Sequence, residues 1–371
     1  MKNAETKLSQ ELRRLILADG PLPLDAFWRA AMTTPDHGYY MKGAPIGEKG
    51  DFTTAPEISQ IFGELIGLWL VEAWTHAGKP EPFALVELGP GRGQLMADAL
   101  RAARVAPDFL AAARLILVEA SPSLRAEQAE RLAAYNPEWL SEWTEALDAA
   151  ADLPLFLIAN EFLDALPIRQ YERVGQTWRE RLVDVDGDGG FAFALGDPAE
   201  PPVDRRLGLP LDLAAAPEGA VLELAPDRQS LATAVAAHLG HMDGAALIFD
   251  YGHGSARLGD SLQALRGGRP ADVLAAPGEA DITSHVDFYS LIRAADKAGA
   301  RAWGPIDQGV FLLRLGAAER AKALEAKASP EAAAAIAQGL RRLVNPLAMG
   351  SLFKAVALLP QVYPPPAGFD E

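Results

Sequence analysis

No cysteine occurs in the 371 residues. That absence excludes disulfides, cysteine-ligated zinc, iron–sulfur clusters and a thiol nucleophile together, and it permits a reducing compartment. Long apolar runs are missing too. The most apolar long segment, residues 58–74, carries Glu64 and Glu72 and falls short of the ~20 apolar residues of a membrane span, so it reads as a buried helix. Residues 1–19 mix both charges and space Leu8, Leu12, Leu15 and Ile16 as a helix does, without the apolar stretch of a secretory signal. Basic residues are scarce, 34 Lys+Arg against 50 Asp+Glu, for a formal net charge of −16. Such a surface repels phosphate backbones and anionic lipid. Neither nucleic acid nor membrane insertion is therefore expected, whereas a cationic protein or peptide is drawn toward it. No His-Glu-x-x-His segment and no Gly-x-Ser-x-Gly elbow occurs, and no metal ligand set is expected.

What is present is the composition of a globular chain, 49% hydrophobic and 23% charged, long enough for one large elaborated domain or two. Residues 1–80 read as a helical and lid region, in which Pro21-Leu22-Pro23 separates a first helix from a second over 24–32. A glycine-punctuated loop over 43–56 feeds a helix starting near Glu57, with Thr54 as its cap. From residue 84 short apolar strands (84–88, 115–119, 155–159 and 246–250) alternate with amphipathic helices (94–103 and 124–135). This is the pattern of an α/β fold, a parallel sheet with helices on both faces, here spanning residues 81–170 and 221–316. Residues 171–220 interrupt it with alternating strands over 178–185 and 191–195. They are expected to form an inserted hairpin that shapes an acceptor site or a homodimer contact, with residues 184–189 as its turn. Residues 317–371 are expected to be a packed helical tail.

The strand Leu85-Val86-Glu87-Leu88 runs into Gly89-Pro90-Gly91-Arg92-Gly93 and then a helix. Glycines let the chain turn tightly and let a ligand touch the backbone, and the helix start attracts an anion. A dinucleotide fingerprint would place its third glycine at position 94, which is Gln94. The spacing found, Gly89, Gly91 and Gly93 preceded by the acidic Glu87, suits S-adenosylmethionine, whose carboxylate would meet the loop amides and whose ammonium would seek carboxylates. The next strand ends in Glu119, an acceptor for the two hydroxyls of a ribose. A fully apolar strand then ends in Asn160-Glu161, with Asp164 one turn later, polar groups suited to positioning an acceptor.

Three stretches together, Gly50-Asp51-Phe52-Thr53-Thr54-Ala55-Pro56-Glu57-Ile58-Ser59-Gln60, Val86-Glu87-Leu88-Gly89-Pro90-Gly91-Arg92-Gly93 and Asn160-Glu161-Phe162-Leu163-Asp164-Ala165-Leu166-Pro167, resemble the MidA family of S-adenosylmethionine-dependent methyltransferases. That family includes the mitochondrial arginine methyltransferase that assists assembly of respiratory complex I. The resemblance extends to residues 246–253, 278–288 and 350–354 and so covers nearly the whole chain. It implies a Rossmann-like class I methyltransferase core with an N-terminal helical region, an inserted β-hairpin region and C-terminal helices. It also implies ω-nitrogen methylation of an arginine in a complex I subunit, symmetrically dimethylated in the mitochondrial member. Without a mitochondrial transit segment, the expectation is a bacterial relative acting in the cytoplasm.

Methyl transfer from a sulfonium requires nucleophile, methyl and sulfur to be held in line with water excluded. A guanidinium is cationic and its lone pairs are delocalised, so a carboxylate clamp is needed to orient it. Glu161 is the first candidate for that clamp, Asp164 the second, with Asp250 and Asp287 outside. His285 is either a proton acceptor or a histidine bridging loop backbone. Residues 50–57 are expected to close over the cofactor, so Thr54 and Glu57 join Glu87, Gly89, Gly91, Gly93, Glu119 and Asn160 in the expected cofactor set. Two other readings stand beside the methyltransferase: a non-catalytic cofactor-binding assembly chaperone, and a nicotinamide oxidoreductase, against which Gln94 argues.

Overall fold

In the computed structural model, residues 6–42 and 53–369 are described. The positions Gly50-Asp51-Phe52, and with them most of the 43–56 loop, lie outside the described residues. Helix α1 (Lys7–Asp19) starts where the Thr6 side chain accepts from Ser9 N, and a short strand β1 (Leu22–Pro23) leads to α2 (Leu24–Thr33). The two helices bury Leu8, Leu12, Ile16, Phe27 and Trp28 in one cluster. Helix α3 (Ala55–Ile58) begins after Thr54, whose side chain makes no capping bond, and Ser59 restarts the chain as α4 (Gln60–His76) by accepting from Ile61 N. Helix α4 is apolar nearly all round and buried, as its sequence predicts. Its Glu64 is tolerated because Arg101 and Arg320 hold it at 2.9 and 2.8 Å.

The core then runs β2 (Phe83–Leu88), α5 (Gln94–Ala102), α6 (Pro107–Ala112), β3 (Ala113–Val118), α7 (Pro122–Arg131), β4 (Glu138–Leu140), α8 (Trp143–Ala149) and β5 (Leu155–Asn160). An inserted sheet follows, β6 (Arg169–Val174), β7 (Thr177–Val185), β8 (Phe191–Pro198) and β9 (Val221–Leu224). The core resumes with α9 (Pro226–Met242) and β10 (Gly244–His253). Strands β11 (Gln263–Arg266), β12 (Arg269–Ala271) and β13 (Asp281–Thr283) form a small sheet, and β14 (Val286–Asp287) pairs with the end of β10. The chain closes with α10 (Phe288–Ala298), β15 (Ala300–Asp307), α11 (Gln308–Arg314), α12 (Ala317–Glu325), α13 (Pro330–Val344), α14 (Met349–Leu352) and β16 (Phe353–Pro360).

The central sheet has the order β15-β16-β10-β5-β2-β3-β4. From β10 to β4 the strands are parallel, so their carboxyl ends share one edge, where such sheets build ligand sites. Side chains alternate between two buried faces. Leu85, Leu117, Phe156, Ile158, Leu247 and Phe249 pack toward α4 and α5, while Val86, Ile116, Leu157, Ala246 and Ile248 pack toward α9 and α10. Each fully buried Leu or Phe contributes about 2 kcal/mol of transfer free energy, which explains why these strands read as continuous apolar runs.

Two expectations need correction. The tail over 317–371 is not only helical: β16 wedges antiparallel between β10 and β15, pairing Ile248 with Val356 and Ala302 with Leu358. The inserted region is more than a hairpin. Strands β7 and β8 pair as expected, with Asp186 Oδ1 accepting from Asp188 N and Gly190 N in their turn. Yet β6, β9 and β1 complete a five-stranded sheet around them. Among the described residues no helix is long and apolar enough to cross a membrane.

Candidate functional site

The loop after β2 owes its course to three left-handed residues, Gly89 at φ +63°, Gly91 at φ +53° and Gly93 at φ +75°. A Cβ on Gly89 would also sit 2.8 Å from the Phe162 ring, so any other residue there is strained and crowded. Gln128 of α7 fixes the loop by donating from Nε2 to the Gly91 carbonyl at 2.6 Å, and its own Oε1 accepts from the Trp139 indole at 2.8 Å.

Two recesses meet at Gly89, Gly91 and Glu161. The larger, about 250 Å³, carries Glu119 at the end of β3, with apolar walls from Val118, Leu124, Trp143 and Phe162. Glu119 Oε1 accepts from Ser121 N at 2.8 Å, while Oε2 has only a long contact to Gln128 at 3.4 Å. Acceptor capacity thus remains for hydroxyl donors. Burial, opposed by the Ser121 N–H, pushes Glu119 up to about 7.

The smaller recess is lined by Thr54, Glu57, Glu87, Arg92 and Asn160. Here Glu87 Oε2 and Asn160 Oδ1 are buried without a partner in the protein. Buried polar groups are ordinarily bonded, and both orphans are acceptors, which is the donor-seeking lining an ammonium requires. Burial, and then the neighbouring Glu119, push Glu87 up to about 8. The chemistry of the residues present therefore fits S-adenosylmethionine. Gly93 lines neither recess; it sits at φ +75° before the first turn of α5.

Glu161 follows β5 in a left-handed conformation, φ +52°, which a residue with a side chain adopts only under strain. The turn aims its carboxyl at the junction of the two recesses. Oε1 accepts from Ala55 N at 3.0 Å and from Asn160 Nδ2 at 3.3 Å, tying it to the start of α3. Its surface stays partly open because it lines the cavity, but the carboxyl lies deep in protein, and that burial raises it to about 7.

Asp164 lies elsewhere. It is 7% exposed, outside both linings, with the Tyr251 hydroxyl on its carboxyl and Arg228 nearby. Burial still raises its pKa. Asp250 accepts backbone N–H bonds from Leu163 and Asp164 on Oδ2 and from Tyr251 on Oδ1, so it holds the turn rather than a ligand. Asp287 caps α10 through Ser290 N. His285 does not share the cavity of Glu161. It lines a separate one, with its ring edge-on to Tyr251 at 5.5 Å and its Nδ1 against Arg257 at 3.1 Å. Residues that sequence reasoning passed over are Trp143 and Glu142 beside the larger recess, Gln128 beneath the loop, and Tyr40, whose hydroxyl donates to Asp281 at 2.8 Å. A polar turn after the third core strand, Ser141-Glu142-Trp143, was the available signal for the first two.

Comparison with known proteins agrees with this geometry. Residues 65–306 match the model of a family described as "Putative S-adenosyl-L-methionine-dependent methyltransferase". The chain is 36% identical over 382 residues to the mitochondrial protein arginine methyltransferase NDUFAF7 homolog of Drosophila melanogaster, covering 96% of this chain and 85% of that one. It is 34% identical over 389 residues to the mitochondrial protein arginine methyltransferase NDUFAF7 of Homo sapiens, covering 97% and 85%. A crystal structure from Burkholderia thailandensis, bound to S-adenosyl-homocysteine, superposes with a TM-score of 0.79 at 29% identity, covering 98% of this chain and 92% of that one. The nicotinamide alternative is thereby set aside: with its Rossmann-like sheet, its glycine loop and its paired recesses, the chain belongs to the MidA-like family of S-adenosylmethionine-dependent methyltransferases, and S-adenosylmethionine is its cofactor.

Proposed function

We propose that the chain methylates an ω-nitrogen of an arginine in a protein substrate, with a subunit of respiratory complex I as the target and symmetric dimethylarginine as the product. The observation that carries the arginine reading is Glu161, a carboxyl held by a strained turn at the meeting point of the two recesses. Support comes also from the curated relatives, which are named as protein arginine methyltransferases.

When bound, S-adenosylmethionine supplies an electrophilic methyl on a sulfonium. The chain's own residues do the rest. Glu87 and Asn160 receive the ammonium, Glu119 the ribose hydroxyls, and the Gly89–Gly91 turn lets backbone approach the ligand. Glu161, once ionised, accepts two N–H bonds from the guanidinium, holds one nitrogen toward the methyl group, and takes the proton which that nitrogen releases as its bond to the methyl carbon forms and the S–C bond breaks to leave the thioether. Ala55 N and Asn160 Nδ2 fix the carboxyl in place, which supplies the positioning on which an in-line displacement depends. Asp164, through Tyr251, is a positioning residue for the turn.

The test is to incubate the purified protein with methyl-labelled S-adenosylmethionine and extract from a host lacking the gene, then to locate label by mass spectrometry. Label on an arginine of a complex I subunit is the expected result. Binding of the cofactor with no transfer to an unmodified acceptor would favour the assembly chaperone instead.

A further inference from the structure

The cofactor cavity has a neighbour that the chemistry above leaves unused. Ala165, Leu166 and Pro167 line the larger cofactor recess, and the next residue, Ile168, lines a separate cavity of about 270 Å³. Arg228, in the first turn of α9 and 2% exposed, ties this partition together. Its Nη2 donates to the Asp164 and Leu166 carbonyls and to Ser284 Oγ, its Nη1 donates to the His285 carbonyl, and its buried Nε has no partner.

The acids lining this second cavity are already engaged. Glu223 accepts from Ser261 N and Oγ and from Gln170; Asp260 binds Arg181 and Gln170; Asp287 accepts from Ser290 N and Oγ. Of the groups that can carry positive charge, Arg228 is spent on the partition and His253 has Asp287 3.9 Å from its Nδ1, which leaves Arg257. Arg257, on the exposed lip, makes its hydrogen bond to His285 Nδ1 and meets no carboxylate among the described residues. A guanidinium donating into Nδ1 leaves the imidazole proton on Nε2, so His285 presents a further N–H. His253 beside it is oriented by the Ser255 carbonyl at 2.8 Å. In a chain of net charge −16, and in a cavity whose three acids are each satisfied by other groups, Arg257 is a guanidinium without a carboxylate partner beside a histidine N–H, a pair of donors that suits a carboxylate.

We propose that this cavity is a second ligand site, for a carboxylate, with Arg257 and His285 as its donors. The carboxylate comes either from an acidic side chain of the protein substrate or from a free small acid. The first source rests on the arginine reading and deepens it, since the substrate would then carry an acidic residue near its arginine; the second does not depend on it.

The experiment is an NMR titration of the full chain, labelled with ¹⁵N-histidine and saturated with S-adenosyl-homocysteine, at constant ionic strength. His285 is assigned with His285→Gln. The probes are succinate, its neutral diamide, and acetylated arginine peptides with Asp or Asn two residues after the arginine. Succinate is expected to give a saturable shift of the His285 ring signals that the diamide lacks, weakened at least tenfold in Arg257→Gln with S-adenosyl-homocysteine affinity unchanged. If the Asp peptide acts at lower concentration than succinate while the Asn peptide does not, the substrate is the source; succinate acting at lower concentration than the Asp peptide identifies a free acid. No saturable shift, or an equal shift in Arg257→Gln, overturns the proposal. Failure of methyl transfer with carboxylate binding intact would overturn the arginine reading and leave this site standing.

Discussion

Adjacent parallel strands β5 and β10 bring two acidic residues level at the same sheet edge, Glu161 just after β5 and Asp250 within β10, and the two carboxylates have opposite fates. Asp250 is fully buried and accepts three backbone N–H bonds, from Leu163, Asp164 and Tyr251. Glu161 holds one backbone N–H and one amide, stands on a left-handed residue, and faces the cavity. The first carboxylate satisfies the fold; the second is held in strain with acceptor capacity left over. Position at the sheet edge alone therefore does not identify a ligand-binding acid. What separates the two is how many N–H groups the protein already directs at each.

Substitutions sharpen the contrast. Glu161→Gln is expected to lower kcat/KM for an arginine peptide on the order of 10³-fold, since an amide cannot neutralise a guanidinium, while S-adenosyl-homocysteine still binds and thermal unfolding is little changed. A variant with near-normal turnover would break the assignment. Asp250→Ala should do the reverse to stability. It strands buried N–H groups at a cost of about 3 kcal/mol, or a Tm about 4 °C lower by scanning calorimetry for a chain of this length. A thermally unaltered Asp250→Ala would show that water replaces the carboxylate. Glu87→Gln is expected to weaken S-adenosyl-homocysteine about tenfold in titration calorimetry, the loss of one charge-assisted bond to the ammonium. Unchanged affinity would mean the orphaned Glu87 oxygen serves something else.

How much of this was legible beforehand follows from which forces act locally. The β2 strand, its glycine loop and α5 are contiguous, so apolar run, glycines and helix start are read from adjacent residues. Glu119 and Asn160-Glu161 were legible because each closes an apolar strand. Strand β16 was not, because Phe353–Pro360 is a short apolar run lying beyond a long alanine-rich helical stretch, and such a run reads equally well as buried helix; only its pairing with β10 and β15 across the fold defines it. His285 fell on the other side of a partition for a similar reason. Its location depends on β14 pairing with Gly252 and His253 and on Arg228, more than 50 residues away, gripping its carbonyl. The left-handed turn at Glu161 had no sequence mark, since glutamate is not a residue that favours it.

Protons enter at this sheet edge as well, where burial raises both Glu161 and Asp250. Glu161 is raised to about 7, chiefly by burial and further by Asp164, and only its ionised form clamps a cation. For the free enzyme, kcat/KM should rise with pH and level off above about 7, and the residual rate of Glu161→Gln should lack that inflection. Stability runs the other way. A carboxyl whose folded pKa exceeds its unfolded value of about 4.3 stabilises fully below that value and loses the contribution as pH rises through the folded pKa. Glu119, at about 7, and Glu87, at about 8, act in the same direction. The ligand-free protein should therefore melt at progressively lower temperature from pH 5 to pH 8. S-adenosyl-homocysteine should flatten that decline, because its ammonium favours ionised Glu87. A melting temperature that climbs over this range, with the activity profile flat, would show that these carboxyls are already ionised in the folded chain and that burial does not set their charge.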